Sequence, residues 1–480
     1  MAAKDITNFF IYRWRYIVGY SAIGILLAGL LIFAGLYVPG GISPEEMAAT
    51  VRSASLSFSD PNTLAAVTSL PYYLIQSLVI DIFGVNDFSI KIPSLIIALL
   101  SATGLILLLR RWFKPNIAVL ASLIAVTTGQ FLFVAQNGTP GIMYIFWPIL
   151  LLTLGTQVTR AKRGRLFWKI SFAAAAALSL YTPLSVYTLI AIAVAVALHP
   201  HLRNIIRRLS PLKVSVSVGL ALLITAPLIY FIVLNPALGL RLLGVPTIWP
   251  PDILANAVTL LKQYFLFWEP STTTLMTPVY GLGSLLIILL GVYRLFKTRD
   301  TTRSYLVIIW IICLMPVLLL NPLFTSVTFV PSVLLLAAGL TSLISYWYRL
   351  FPLNPYARIA GLIPIVILVV TLIGSGLDRY VYGYHYAPST AVNFSKDLRL
   401  LPKDTKNFVV SEKERPFYEA VAEHRDGLTV ITDAKSNPAT FTATRAARDK
   451  VPEGYTVDRI ITTTYSNDAD RLYIYKKVQQ

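Results

Sequence analysis

The sequence predicts an all-α polytopic membrane protein of about eleven transmembrane helices, with interfacial helices in its first outer loop and a small extracytoplasmic α/β domain at its end. Three observations carry this. Apolar runs of about 20 residues, the length needed to cross a bilayer, recur up to residue 377. Charge is scarce: 13% of the 480 residues are charged and 56% are hydrophobic, whereas about a quarter of a soluble chain is charged. The charge is also unevenly placed. Residues 1–377 hold nine acids and 25 Lys/Arg, and 378–480 hold 14 and 16, so the net charge of +18 divides into +16 and +2. The chain thus reads as a membrane domain, 1–377, and an α/β domain, 378–480. A single soluble globule, a coiled coil and a disordered chain are excluded.

The spans fall at 16–38, 90–109, 116–134, 141–159, 167–182, 184–199, 213–234, 278–296, 304–320, 328–346 and 359–377. The first is too long, and too lacking in a small-residue cleavage site, for a removed signal peptide. The fifth and sixth are divided only by Tyr181-Thr182-Pro183. With eleven spans and a cytoplasmic N-terminus, 21 of the 25 basic residues fall inside, as the positive-inside rule requires. Only Arg52, Lys91, Arg241 and Lys262 fall outside. The basic balance therefore reflects inner loops rather than nucleic-acid binding.

The acids agree independently. Apart from Asp5 and Asp300, the nine lie in two outer segments, 39–89 and 235–277. No carboxylate stands in mid-span, where ion-coupled carriers keep them, which favours chemistry at the outer face. In the first segment, Ser43-Pro44 opens a helix in SPEEMAATVRSASLS. LPYYLIQSLVIDIFG, too short to cross, reads as a helix in the interface with Tyr72 and Tyr73 at headgroup depth. LANAVTLLKQYFLFWEPS in the second segment reads as a similar helix.

The tail begins with the tyrosine-rich DRYVYGYHY. NFVVS, LTVITD, YTVDRIITTTY and RLYIYKKV read as strands, and FYEAVAEHR and ATRAARDK as helices between them. No nucleotide-binding glycine motif or metal spacing occurs, and His424 reads as a surface residue. His199 and His201 flank Pro200 without a carboxylate nearby. Cys313, the one cysteine, reads as a small apolar residue in its span. The triplets at Asn137 and Asn393 are short enough to arise by chance.

The strongest local signal is Glu45-Glu46, two carboxylates just after a membrane helix in a chain that avoids acids. Such a group can serve as general base towards an acceptor hydroxyl or amine. The same pair is also what the dipole of a helix starting at Pro44 favours. Arg52, six to seven residues on, shares roughly their helix face. With Lys91, Arg241 and Lys262 it is a candidate contact for a lipid phosphate, although headgroup anchoring accounts for each one equally.

The chain resembles GT-C type membrane glycosyltransferases, the broad group containing protein O-mannosyltransferases and lipid A aminoarabinose transferases. The resemblance rests on SPEEMAATV, LPYYLIQSLVIDIFG, VNDFSIKIPSLI, LFVAQNGTPGIMYIFWPILLL, LLGVPTIWPPDILANAVTLLKQYFLFWEP and MTPVYGLGSLLIILLGVYRLFK, in that order over residues 15–300. The departures are Glu45 for the usual Asp, Ala48 at a commonly basic position, Thr68-Ser69 where Lys or His often stands, and Lys91 for Arg. The resemblance implies an inverting transferase that moves a sugar from a polyprenyl-phosphate donor to a lipid, glycan or protein acceptor at the extracytoplasmic face. It implies membrane lipids as surroundings; the residues themselves show no nucleic-acid site and no metal cluster, and call for no cofactor. Glu45 is then the base and Glu46 its support. Arg52, Lys91, Arg241 and Lys262 are candidate phosphate contacts, Tyr72, Tyr73 and Trp268 line the lipid-sugar groove, and Glu269 is the alternative base. Rival readings are a lipid-linked substrate flippase and a non-catalytic membrane protein that displays its tail.

Overall fold

The computed structural model describes residues 41–161, 164–207, 210–246, 248–267, 275–350, 355–394, 396–433, 438–462 and 471–478, with six isolated helical positions before residue 33. The expected first span, 16–38, therefore lies outside the described residues, as do Trp268 and Glu269.

Among the described residues six helices are long and apolar enough to cross a membrane: Asp87–Trp112, Pro140–Arg160, Pro211–Leu234, Thr302–Leu320, Thr325–Leu350 and Ile363–Tyr384. Two further spans are bent pairs. Pro115–Val126 and Gly129–Gln136 meet at 58°, and Ser185–Leu198 and Pro200–Arg207 at 92°. The first pair breaks where the Thr128 side chain caps a new helix by accepting from the Phe131 N–H. The second breaks at Pro200, which has no N–H to continue the ladder. Two other expected spans are helices of only 15 and 16 residues, Arg165–Ser179 and Leu282–Lys297. At 1.5 Å per residue they reach about 24 Å at most, short of a hydrocarbon core of about 30 Å. Eleven full-length spans are thus more than the described residues contain; they hold six, or eight with the bent pairs.

The first outer segment folds into three helices, Pro44–Ala54, the short Pro61–Ala65 and Leu70–Phe83. Pro44–Ala54 starts in a capping box, the Ser43 hydroxyl accepting from the Glu46 N–H while the Glu46 carboxylate accepts from the Ser43 N–H. Leu70–Phe83 ends at Gly84, whose φ of +69° suits glycine. Its exposed face carries Ile75, Leu78, Ile82 and Phe83, so aliphatic side chains face outwards at this helix. Tyr72 and Tyr73, expected at headgroup depth, instead point inwards and are buried, because the helix packs on both Asp87–Trp112 and Pro44–Ala54. Gln76 fastens this junction. It accepts from the Ser53 hydroxyl at 2.7 Å and donates to the carbonyls of Ile90 and Gly138 at 3.0 and 3.1 Å.

The tail forms a five-stranded sheet of order β2-β1-β3-β5-β4. The strands are β1 Asn407–Val409, β2 Thr429–Ile431, β3 Thr440–Thr444, β4 Tyr455–Ile461 and β5 Leu472–Lys477. β1 runs parallel to β2 and β3, and β5 antiparallel to β3 and β4. The sequence misses β3. Its residues Ala443 and Thr444 belong to the expected helix ATRAARDK, but Thr440–Thr444 pairs on both sides, and only Arg445–Lys450 turns, as a 3-10 helix. The tail shares a core with the outer segment: Phe408, Phe417, Tyr418 and Val421 cluster with Ile42, Ile80, Val85 and Ile90. Helix Arg415–Glu423 lies on Pro44–Ala54, and the Ile42 N–H donates to the Lys396 carbonyl at 2.7 Å.

Candidate functional site

One helix separates the two adjacent glutamates. Successive residues on an α-helix point about 100° apart, so Pro44–Ala54 has two faces. Glu46, Ala49, Thr50 and Ser53 are buried, while Glu45, Ala48 and Arg52 are exposed. The acidic pair is therefore two carboxylates in different surroundings.

Glu46 is 1% exposed and fully engaged. Its Oε1 accepts from the Gly138 N–H at 2.6 Å and lies 3.1 Å from Lys91 Nζ; its Oε2 accepts from the Ser43 N–H at 2.8 Å and from Lys91 at 3.4 Å. Lys91 also donates to the Gln136 carbonyl at 3.4 Å. Gly138 is needed for this approach, because a Cβ there would press on the Ile90 carbonyl. A buried charge so neutralised and hydrogen-bonded is a structural anchor.

Glu45 stands at the exposed edge, yet enough protein surrounds it that desolvation, and then the charge of Glu46, raise its carboxyl above the ordinary glutamate range. Around it are Arg52, which donates to the Tyr73 hydroxyl at 3.3 Å, and Tyr73 itself, whose hydroxyl is raised mainly by burial and lowered by Arg52. Tyr72 takes no part in this surface: it is fully buried and its hydroxyl shares a 2.8 Å hydrogen bond with Ser94.

Sequence reasoning missed the far wall, which comes from the tail. The tyrosine-rich joint folds as a short π-helix, Arg379–Tyr384, and turns back over the acidic pair. Both glutamates lie within electrostatic range of the Tyr384 hydroxyl. Asn393 donates to that hydroxyl at 2.6 Å, so its amide is engaged inside the protein. His385, 9% exposed, bonds through Nδ1 to the Tyr380 carbonyl at 2.7 Å. Burial, and then nearby Lys91, outweigh that bond and lower its pKa to about 4, leaving it neutral. The signal available was four tyrosines and a histidine within nine residues.

The structure thus gathers Glu45, Glu46, Arg52, Tyr73 and Lys91 into one cluster. Arg241, on Pro236–Leu242, and Lys262, on Ile253–Phe265, are exposed on two separate helices. Among the described residues no three His, Cys, Asp or Glu side chains converge as a metal site would require.

Residues 68–231 match the family described as dolichyl-phosphate-mannose-protein mannosyltransferase. No curated protein sequence matches the chain. Among solved structures it is similar to ArnT from Cupriavidus metallidurans. The form bound to undecaprenyl phosphate aligns at 13% identity and a TM-score of 0.53, over 96% of this chain and 98% of that one. The apo form aligns at 12% and 0.51 over the same shares. The Archaeoglobus fulgidus oligosaccharyltransferase aligns at 15% identity and 0.49, over 87% of this chain and 64% of that one. The fold is that of ArnT, a GT-C membrane glycosyltransferase, and the family whose model matches residues 68–231 is one of mannosyltransferases. Within that class it is ArnT-like in fold along nearly its whole length.

Proposed function

We propose that the protein transfers a sugar from a polyprenyl-phosphate donor to an acceptor at the extracytoplasmic face, with Glu45 as general base. The observation that carries this reading is the division of labour in the acidic pair. Glu46 is held by Lys91 and two backbone N–H groups, while Glu45 stays exposed with its proton affinity raised. In the reaction the acceptor oxygen or nitrogen bonds to the anomeric carbon on the face opposite the leaving group. The bond from that carbon to the phosphate oxygen breaks, and its electron pair leaves with polyprenyl phosphate. The acceptor proton passes to Glu45. Arg52, exposed one helical turn beyond Ala48, suits the phosphate. Lys91 acts on it through Glu46 and the local field rather than as a free cation. ArnT, whose fold this chain shares, has been solved with undecaprenyl phosphate, which supports a lipid-phosphate donor.

The test is reconstitution. Purified protein in nanodiscs receives a labelled polyprenyl-phosphate sugar or the matching nucleotide sugar, together with an envelope extract as acceptor. Label should move only from the lipid-linked donor. Passage of intact donor between leaflets of a proteoliposome, with no label on any acceptor, would instead support the flippase reading.

A further inference from the structure

At the other end of the Asp87–Trp112 helix is a second charged site, which the transfer reaction does not use. Lys91, at the acidic cluster, and Trp112 are 21 residues apart, roughly 30 Å along the helix, so this site belongs to the opposite membrane face. Arg303 donates to the Trp112 carbonyl and stacks 4.4 Å over the Phe113 ring. It shares a cleft with Arg294, Thr298 and Ser304, backed by Leu295 and Val307. The cleft has about 300 Å³ of free space counting its open mouth.

Arg294 lies within electrostatic range of both Arg303 and Arg349. Both cleft arginines are half-buried, and among the described residues no carboxylate forms an ion pair with either. Two like charges held together without a counter-ion repel, and an anion between them relieves that cost. The donors that suit an oxyanion are the two guanidinium groups; the Thr298 and Ser304 hydroxyls, 3.0 Å apart, bond to each other, to the Arg294 carbonyl and to Thr301, and form the polar side of the cleft. The apolar rear wall, and Tyr293 and Phe296 exposed beside Arg294, suit an occupant that arrives with acyl chains.

We propose that this cleft binds the phosphate of an anionic lipid in the leaflet opposite the acidic pair. The test uses the full-length protein in neutral detergent. Bound lipid is counted by native mass spectrometry and the Tm is followed with phosphatidylglycerol, phosphatidylcholine or inorganic phosphate added. The parent should retain phosphatidylglycerol in preference to phosphatidylcholine and be stabilised by it. Replacing Arg294→Gln or Arg303→Gln should weaken that binding by about 10- to 100-fold. Thr298→Asp, which supplies a carboxylate to the cleft, should raise the Tm without lipid and abolish the lipid effect; it keeps the test informative if the arginine variants fold poorly. Equal retention of both lipids by parent and variants, or unchanged lipid binding in Thr298→Asp, would overturn the site. Equal protection by inorganic phosphate would overturn the lipid as its occupant.

Discussion

At the scale of single residues, the two glutamates should behave differently on mutation. Glu46→Gln leaves Lys91 facing a neutral amide in a nearly dry site, so it should cost about 3 kcal/mol and appear as a lowered Tm and poor expression. Glu45→Gln should do the reverse. The folded-state pKa of Glu45 is raised, so its contribution to stability is complete below the unfolded pKa and is lost as pH rises through the folded one. The neutral amide does not suffer that loss. Its Tm should exceed the parent's at pH 7, and the two should converge near pH 4. In a transfer assay the acid limb of the parent's pH–rate profile should lie above the ordinary glutamate value of about 4.3; a limb at or below that value would deny Glu45 the role of base. The pair itself was legible because acids are so rare in the first 377 residues. That Glu46 is anchored and Glu45 exposed was not, because the distinction depends on Gly138 and Lys91, 92 and 45 residues away.

At the scale of elements, apolar length and helix-start chemistry located most helices, since both are local signals. What they could not give was how each helix packs. Leu70–Phe83 has apolar residues around much of its circumference, so nothing local says that Tyr72 and Tyr73 turn inwards. Ile75, Leu78 and Ile82 face out only because Asp87–Trp112 and Pro44–Ala54 claim the other side. β3 was missed for a similar reason: TFTAT is polar and short, and its strand state depends on β1 and β5. The close crossing of Leu282–Lys297 with Phe329–Leu350 is another non-local feature. A Cβ on Gly291 would strike the Leu335 carbonyl, and one on Gly339 the Ile287 carbonyl, so small residues let the backbones touch. Gly339→Val should force these helices apart. Loss of the monodisperse peak in size-exclusion chromatography is expected, and a variant with parent-like Tm and profile would refute the contact.

At the scale of the whole molecule, the tail completes the site rather than merely decorating it. The division at residue 378 marks a change in composition, but the packing crosses it. Phe417→Ala, within the core shared by tail and outer segment, should cost about 3–5 kcal/mol. It should also slow transfer, because helix Arg415–Glu423 supports the helix that bears Glu45. The basic residues predict an orientation, with residues 39–89 outside: with Cys313 replaced, a cysteine at Asp60 should react with an impermeant thiol reagent on intact cells, and one at Arg165 should not. The proposed chemistry depends most on Glu45, and its most direct test is the Glu45→Gln variant, measured for sugar transfer and for binding of a polyprenyl-phosphate analogue on the same preparation. Transfer should fall by roughly two to four orders of magnitude with binding retained; transfer at the parent rate by a folded, donor-binding Glu45→Gln protein would contradict the role of Glu45 as base.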